Sequence, residues 1–384
     1  MIGSIPVTQT ELVPGLAGIP AAESSISFID GAKGILSYRG IRIEELAAHS
    51  HFEETVSLLW DAKLPSASEL ETLTGRLKSH RELGPELSNF VRNLPKSGHP
   101  MEALQASLAA LGMVSPALDD KDPATFRDAC ERVMGAASTL IAGCERNRQG
   151  KELVTPDPDL STAGNFLYCL NGEKPDEIKT RILDCALVLH AEHTMNASTF
   201  ACRVVTSTET NPYTATSAAV GALFGPLHGG ANERVLLQLE SIGGPENVKA
   251  WFDKKMAAKE KIMGFGHRVY STKDPRAHSL QELARDLFKT HGSTPLYDTA
   301  LALEDLVTEK LGSRGIYPNV DFFSGMVYQK LGIPTDVFTP IFALSRLAGW
   351  LAHWMEQRGD NKLFRPGQIY TGVKDVTYTA MSDR

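Results

Sequence analysis

From Phe52 to Gln357 the chain is a succession of segments whose apolar residues return every three or four positions. That spacing lines apolar side chains along one helix face. Phe52 to Trp60, Ser66 to Leu77, Met101 to Met113, Pro123 to Cys144 and Thr180 to His193 carry it. So do Tyr213 to Phe224, Asn247 to Met263, Arg276 to His291, Pro295 to Leu311, Asp321 to Leu331 and Thr339 to Gln357. Ser66 and Glu69 have the spacing of a capping box, and Asn232 is placed to cap a helix that Gly243-Gly244-Pro245 ends. Asp157 to Asn171 mixes turn residues with apolar ones and is assigned no helix. One hairpin stands apart, Ser25 to Arg39, with short alternating runs around Asp30-Gly31. Long strand patterns and a repeat of fixed period are missing. The predicted fold is mainly α with a small N-terminal β-hairpin, and 384 residues are too many for one ordinary core, so two domains are expected.

Charge narrows the function. The net charge is −7, and the one dense basic cluster, Lys254, Lys255, Lys259 and Lys261, reads as a solvated helix face or a local anion site. A nucleic-acid partner is not expected. Nor is a membrane span: Ile341 to Met355 comes nearest, and Arg346 and His353 interrupt it. Met1 to Gly18 lacks both the basic start with apolar run of a secretory signal and the arginines of a transit peptide. The five cysteines are widely spaced, without a CxxC pair, and read as reduced core residues of a cytoplasmic protein.

Three loops and two helices concentrate the chemistry. His190 and His193 lie three apart, on one face of a helix, a spacing open to a metal or to an anionic substrate. It is not H-E-x-x-H, and no third ligand is evident, so no metal is assigned. Gly225 to Glu233 sets His228 between a proline turn and a glycine pair, just before a helix N-terminus. A histidine there stays neutral beside the positive end of the dipole and can donate to a developing enolate; a plain loop with His228 bonded to backbone is the alternative. Gly264-Phe265-Gly266-His267-Arg268-Val269-Tyr270 starts like a dinucleotide fingerprint, but Val269 replaces the third glycine and no strand precedes it. What remains is a tight loop with His267 and the cations Arg268, Lys273 and Arg276, suited to a phosphate or carboxylate. Asp321 opens a helix beside Phe322 and Phe323, either as a dipole partner or as a general base raised by its apolar setting. Arg346 sits inside an apolar helix and needs a partner, a buried acid or a substrate carboxylate. Arg365 precedes Pro366 in what reads as a surface turn.

Together these segments resemble the citrate synthases. GPLHGGANE around His228, GFGHRVY with DPR around His267, and NVDFFSG around Asp321 are similar to that family's three catalytic blocks. The likeness runs from Ser25-Ile26-Ser27, through His99-Pro100-Met101 and HAEHTMNAST around His193, to Arg365-Pro366, in the family's order. It implies a two-domain, all-helical fold, with a large domain over 1–227 and 328–384 that dimerises and a small mobile domain over 228–327. It implies condensation of acetyl-CoA with oxaloacetate and hydrolysis of citryl-CoA to citrate and CoA, at the head of the tricarboxylic acid cycle. Asp321 would take the methyl proton, His228 would steady the enol, and His267 would polarise the ketone. Oxaloacetate would be held by His193, Arg276, Arg346 and, from a neighbouring subunit, Arg365. CoA would lie against Gly264, Phe265 and Gly266, with Arg268 or Lys273 on its phosphates, since Ser271 stands where many relatives carry a cation. No metal or cofactor is implied beyond the co-substrate acetyl-CoA. The partners are those two small molecules and a second copy of the chain, or a larger assembly of dimers.

The same blocks serve 2-methylcitrate synthases, which use propionyl-CoA, and one methylene is worth only about 1–3 kcal/mol in a pocket. A metal-dependent hydrolase built on His190 and His193 and a non-catalytic helical scaffold are the readings from other classes.

Overall fold

The structure, a computed structural model, describes residues 12–267 and 269–384. Its only sheet among the described residues is antiparallel: β1 (Ser27–Asp30), β2 (Ile35–Tyr38) and a short β3 (Ile41–Arg42). Ser27 faces Tyr38 and Asp30 faces Ile35 across the first pair. The Asp30 carboxylate accepts the N–H groups of Ala32 and Lys33 at 3.1 Å each, which folds the turn locally. Leu36 and Tyr38 are fully buried, so the hairpin has a core side.

Sixteen α-helices follow among the described residues. They are α1 (Ile43–His49), α2 (Phe52–Asp61), α3 (Ala67–Ser79), α4 (Pro85–Arg92), α5 (Pro100–Val114), α6 (Pro123–Arg148), α7 (Thr162–Asn171) and α8 (Glu177–His190). Then come α9 (Ala197–Thr206), α10 (Pro212–Phe224), α11 (Ala231–Ile242), α12 (Val248–Ala257), α13 (Pro275–His291), α14 (Pro295–Leu311), α15 (Val320–Lys330) and α16 (Phe338–Gly359). Their starts are written in the chain. Six of them, α4, α5, α6, α10, α13 and α14, have proline in the first turn, where its missing N–H costs nothing. Ser66 and Glu69 close the expected capping box on α3.

Helix α16 is the axis of the larger group. Its side chains are buried all round, from Phe338 to Trp354, and it packs on α2, α6, α8, α9 and α10. A helix that is apolar on every face belongs inside a large core. Trp60 and Trp354 donate their indole N–H groups to Ala348 and Thr210 carbonyls, so neither ring buries an unmet donor. A second group, α11 to α15, packs mainly on itself, and α13 also touches α1 and α8.

Four local expectations change. Residues 162–171 form α7, capped by Ser161, because burial of Phe166, Leu167 and Leu170 outweighs the weak helix propensity of Thr, Gly and Asn. Helix α8 stops at His190, and Thr194 takes a left-handed φ of 51°, so His190 and His193 do not share a helix face. Asn232 is not the cap of α11: Gly230, at φ 69°, turns the chain into the helix two residues earlier, and Asn232 is buried in its first turn. Helix α12 ends at Ala257 because Lys259 is left-handed, which leaves 258–263 irregular. All five cysteines are free and buried, and no helix among the described residues is long and apolar enough to cross a membrane.

Replacing Ser66 by alanine removes one arm of the α3 capping box, and the expected loss of stability is about 1 kcal/mol. Urea unfolding followed by circular dichroism checks it.

Candidate active site

A cleft of about 850 Å³ collects the residues singled out above. It is lined by His193, His228, His267, Arg276, Asp321 and Arg346, with Phe342 and the backbone of 15–22 at its edges. Each arrives from a different element: the α8–α9 turn, the α10–α11 loop, the loop before α13, α13 itself, α15 and α16.

His228 is aimed by the chain just behind it. A methyl group on Gly229 would lie 2.1 Å from the Leu223 carbonyl oxygen, so the loop can fold back over the end of α10 only with glycine there. His228 Nε2 accepts the Ser198 backbone N–H at 3.2 Å and lies 2.8 Å from the Ser198 hydroxyl. That N–H is one of the free donors at the start of α9. A ring nitrogen that receives an amide N–H cannot hold its own proton, so Nδ1 carries it and the ring is neutral. Burial, and then the charge of Arg346, push the His228 pKa down to about 4.

His267 repeats the device with the other nitrogen. Its Nδ1 accepts the N–H groups of Val269 (2.9 Å) and Tyr270 (3.2 Å), which leaves the proton on Nε2. Burial, then Arg276, lower its pKa to about 4. His193 lies edge-on, 5.4 Å between ring centroids, and its Nε2 is 3.1 Å from the Tyr270 hydroxyl. Burial and the two arginines hold His193 well below the usual imidazole range.

Two buried guanidiniums supply positive charge. Arg276 forms a two-pronged pair with Asp274, at 3.0 and 2.8 Å, and its Nη1 has no protein partner among the described residues. Arg346 donates Nε–H to the His190 carbonyl at 2.8 Å and stacks over Phe342 at 4.7 Å. Its Nη1 and Nη2 have no acceptor among the described residues. Burial draws its pKa down to about 10. Asp321 stands in the first turn of α15, where Asn319 accepts its backbone N–H. Burial raises the carboxyl to about 6 against the pull of the arginines. Asn319 also donates to Gly264 O through its backbone and to Gly266 O through its side chain, both 2.9 Å, so one residue fixes the Asp321 helix to the loop before His267.

The remaining predicted residues lie elsewhere. Gly264 is buried and Phe265 packs on Phe322 at 4.6 Å, with Gly266 N–H bonded to Tyr317 O. Lys273 is turned from the cleft and held by Gln281 (2.9 Å) and Glu304 (3.5 Å). Arg268 lies outside the described residues. Arg365 is exposed beyond α16 and bonds only to the Pro366 carbonyl among the described residues. Residue-by-residue reading did not foresee the roles of Ser198, Tyr270 and Asp274. Asp274 alone had a local signal, as an Asp-Pro helix start two residues before Arg276.

Comparisons with known proteins agree in kind. The family described as "Citrate synthase, C-terminal domain" matches residues 15–367. A citrate synthase of Synechocystis sp. is 50% identical over 96% of this chain and 93% of its own length. One from Acidithiobacillus ferridurans is 47% identical over 98% of this chain and 100% of its own. The crystal structure of citrate synthase from Pyrobaculum aerophilum superposes with a TM-score of 0.91 at 40% identity, covering 97% of this chain and 95% of that one. The Thermoplasma acidophilum citrate synthase, solved as a ternary complex with carboxymethyl coenzyme A and oxaloacetate, gives 0.90 at 33% identity, over 97% and 100%.

A carboxyl whose folded pKa is raised costs stability once ionised. The cost is absent below the ordinary value of 3.8, grows as pH rises, and is complete above about 6. Asp321→Asn is therefore expected to melt no lower than the parent at neutral pH, with its advantage shrinking as pH falls from about 6 to about 4. Scanning fluorimetry across that range checks the sign.

Proposed function

The chain belongs to the citrate synthase family, and on that premise we propose how its cleft condenses acetyl-CoA with oxaloacetate to give citrate and CoA. One observation carries the reading. Two neutral histidines, each held by backbone N–H groups on the ring nitrogen away from its proton, share a cleft with two guanidiniums that have N–H groups to spare. That arrangement suits a small dianion carrying a ketone.

Asp321 removes a proton from the acetyl methyl group; a carboxyl near 6 is ionised at neutral pH yet basic enough for the task. His228, through Nδ1–H, donates to the thioester oxygen and stabilises the enol. A neutral donor fits this step, since it need not surrender a full proton. His267, through Nε2–H, donates to the ketone oxygen of oxaloacetate, whose carbon the enol attacks. The oxaloacetate carboxylates rest on Arg276, Arg346 and His193. Water then hydrolyses citryl-CoA. No metal or cofactor enters these steps, and acetyl-CoA is consumed as co-substrate. CoA runs along Gly264, Phe265 and Gly266, with its phosphates met by Arg268. Lys273 is left out, because Glu304 already takes its charge.

We place the small domain at 228–327, carrying α11 to α14 and most of α15, and let it close over the cleft to exclude water. The large domain, 1–227 and 328–384, pairs with a second copy. The tail supports this: beyond α16, Leu363, Ile369, Tyr370, Val373, Val376, Tyr378 and Met381 are all more than half exposed. Apolar side chains in such number call for cover. On this reading Arg365 reaches the partner's cleft. We place the enzyme in the cytoplasm, where five unpaired cysteines are at home.

A thiol reagent that follows CoA release tests the reaction directly. Release should require oxaloacetate, and a preference for propionyl-CoA would move the substrate by one methylene without changing the roles. Asp321→Asn should lower kcat by about 10²–10⁴-fold. The parent should lose activity as pH falls through about 6, while the two histidines near 4 stay neutral. A mixture of Arg365→Ala and His267→Ala chains, refolded together, tests the shared site. Each parent variant should be impaired, and the hybrid should regain activity, because one of its two clefts is then whole. No recovery would place Arg365 in its own chain's cleft or outside the site.

A further inference from the structure

The tip of the N-terminal hairpin touches the loop that carries His267, and the contact leaves no spare space. The Gly31 carbonyl accepts the Ser271 N–H at 3.0 Å, with the Ser271 hydroxyl at 3.4 Å. A methyl group on Gly31 would stand 2.0 Å from the Val269 carbonyl oxygen and 2.8 Å from its carbon. Both are backbone atoms, so no side-chain rotation relieves the clash. The same short segment holds His267: the N–H groups of Val269 and Tyr270 both point at its Nδ1. The Val269–Tyr270 peptide, which supplies one of the two N–H groups that fix the proton on Nε2, is thus the one pressed on the hairpin.

The other end of the hairpin is tied to His193. The Ser27 hydroxyl accepts the Thr194 N–H at 3.2 Å and donates to Glu192 Oε1 at 3.0 Å. The Tyr38 hydroxyl oxygen accepts the Glu192 N–H at 3.2 Å and lies 3.0 Å from the Glu192 carbonyl. The turn between these ends is rigid, since Asp30 holds two of its N–H groups. One short hairpin therefore spans from the residues that flank His193 to the segment just after His267, and the two rings lie 5.4 Å apart.

We propose that Gly31 is a positioning residue: its carbonyl and its bare α-carbon form the seat on which residues 269–271 lock, and the hairpin sets His267 against His193. This rests on the functional reading above, in which both histidines hold oxaloacetate. In its terms the hairpin belongs to the large domain and residues 269–271 to the small one, so the seat is where closure is registered.

The test compares the parent, Gly31→Ala and Lys33→Ala, an exposed position in the same turn. Misplacing a reacting group by about 1 Å can cost about 100-fold. That drop in kcat/KM for oxaloacetate is expected of Gly31→Ala, with thermal stability and kcat/KM of Lys33→Ala unchanged. A change in packing alone would not move a pH profile, but displaced N–H groups free His267 Nδ1 to take a proton. Of the groups that face that ring, His193, Arg276 and Asp274 lie outside the displaced segment, while Tyr270 moves with it. The acid limb should therefore steepen from one proton, on Asp321, to two. A folded Gly31→Ala with the parent's kcat/KM and the parent's limb overturns the proposal. Should the variant not fold, hydrogen exchange of the parent in denaturant decides. Residues 31–34 and 269–273 opening in one cooperative step supports the seat, and independent opening overturns it. A parent without condensing activity would strike the functional reading instead, and the exchange experiment would still judge the seat.

Discussion

Two guanidinium groups buried in one core set the terms for everything near them. Arg276 and Arg346 are each under 4% exposed. Removing such charges from water costs several kcal/mol apiece even after relaxation. Arg276 recovers much of this through Asp274, which grips it with both oxygens. Arg346 has no such grip. It has one backbone carbonyl, an aromatic face, and the field of Glu192. The two arginines push down every imidazole in the cleft, and they pull against the burial that raises Asp321. Burial comes first in making the histidines neutral and the base weakly acidic, and the same two charges then adjust both.

Glu192 is where that field is anchored. It is fully buried and held ionised against its own burial by His353, which donates Nε2–H at 3.2 Å. His353 Nδ1 in turn accepts from Arg203, which pairs with Glu356 at 2.7 Å. Glu356 then accepts the Ser25 N–H at the base of the hairpin. The network runs beneath the cleft from α9 and α16 to the first strand. It also joins the hairpin to Arg346 electrostatically, so the element that spaces the histidines rests on the acid that offsets the arginine.

How far this could be read from the chain depends on where each cause lies. Helices whose starts carry a local cause were legible: the Ser66–Glu69 box, and proline before α10, α13 and α14. Helix α7 was not, because its cause is burial against distant partners, and α8, which ends at His190, was read three residues too long. The acid, the two histidines and the two arginines of the cleft were legible as odd residues in odd settings, a charge in an apolar helix or a histidine between glycines. Their controllers were not. Ser198 meets His228 across thirty residues and Tyr270 meets His193 across seventy-seven. No window of sequence contains such a pair. Asp274 meets Arg276 across two, and there the local pattern could have been read.

Held this way, the cleft is unfinished as a piece of protein. Among the described residues Arg346 keeps two N–H-bearing nitrogens without acceptors and Arg276 keeps one, and Thr194 holds a left-handed turn that a β-branched residue disfavours. A core that can shelter such features must be stable elsewhere, which is the office of α16 and its two fully buried tryptophans. On the proposed reading a dianionic substrate is the arginines' acceptor. It would take the spare N–H groups, offset the second guanidinium as Asp274 offsets the first, and by its own charge steady any proton that His267 shares with the ketone oxygen. Binding and preparation for reaction would then be one electrostatic event, with the hairpin fixing where it happens.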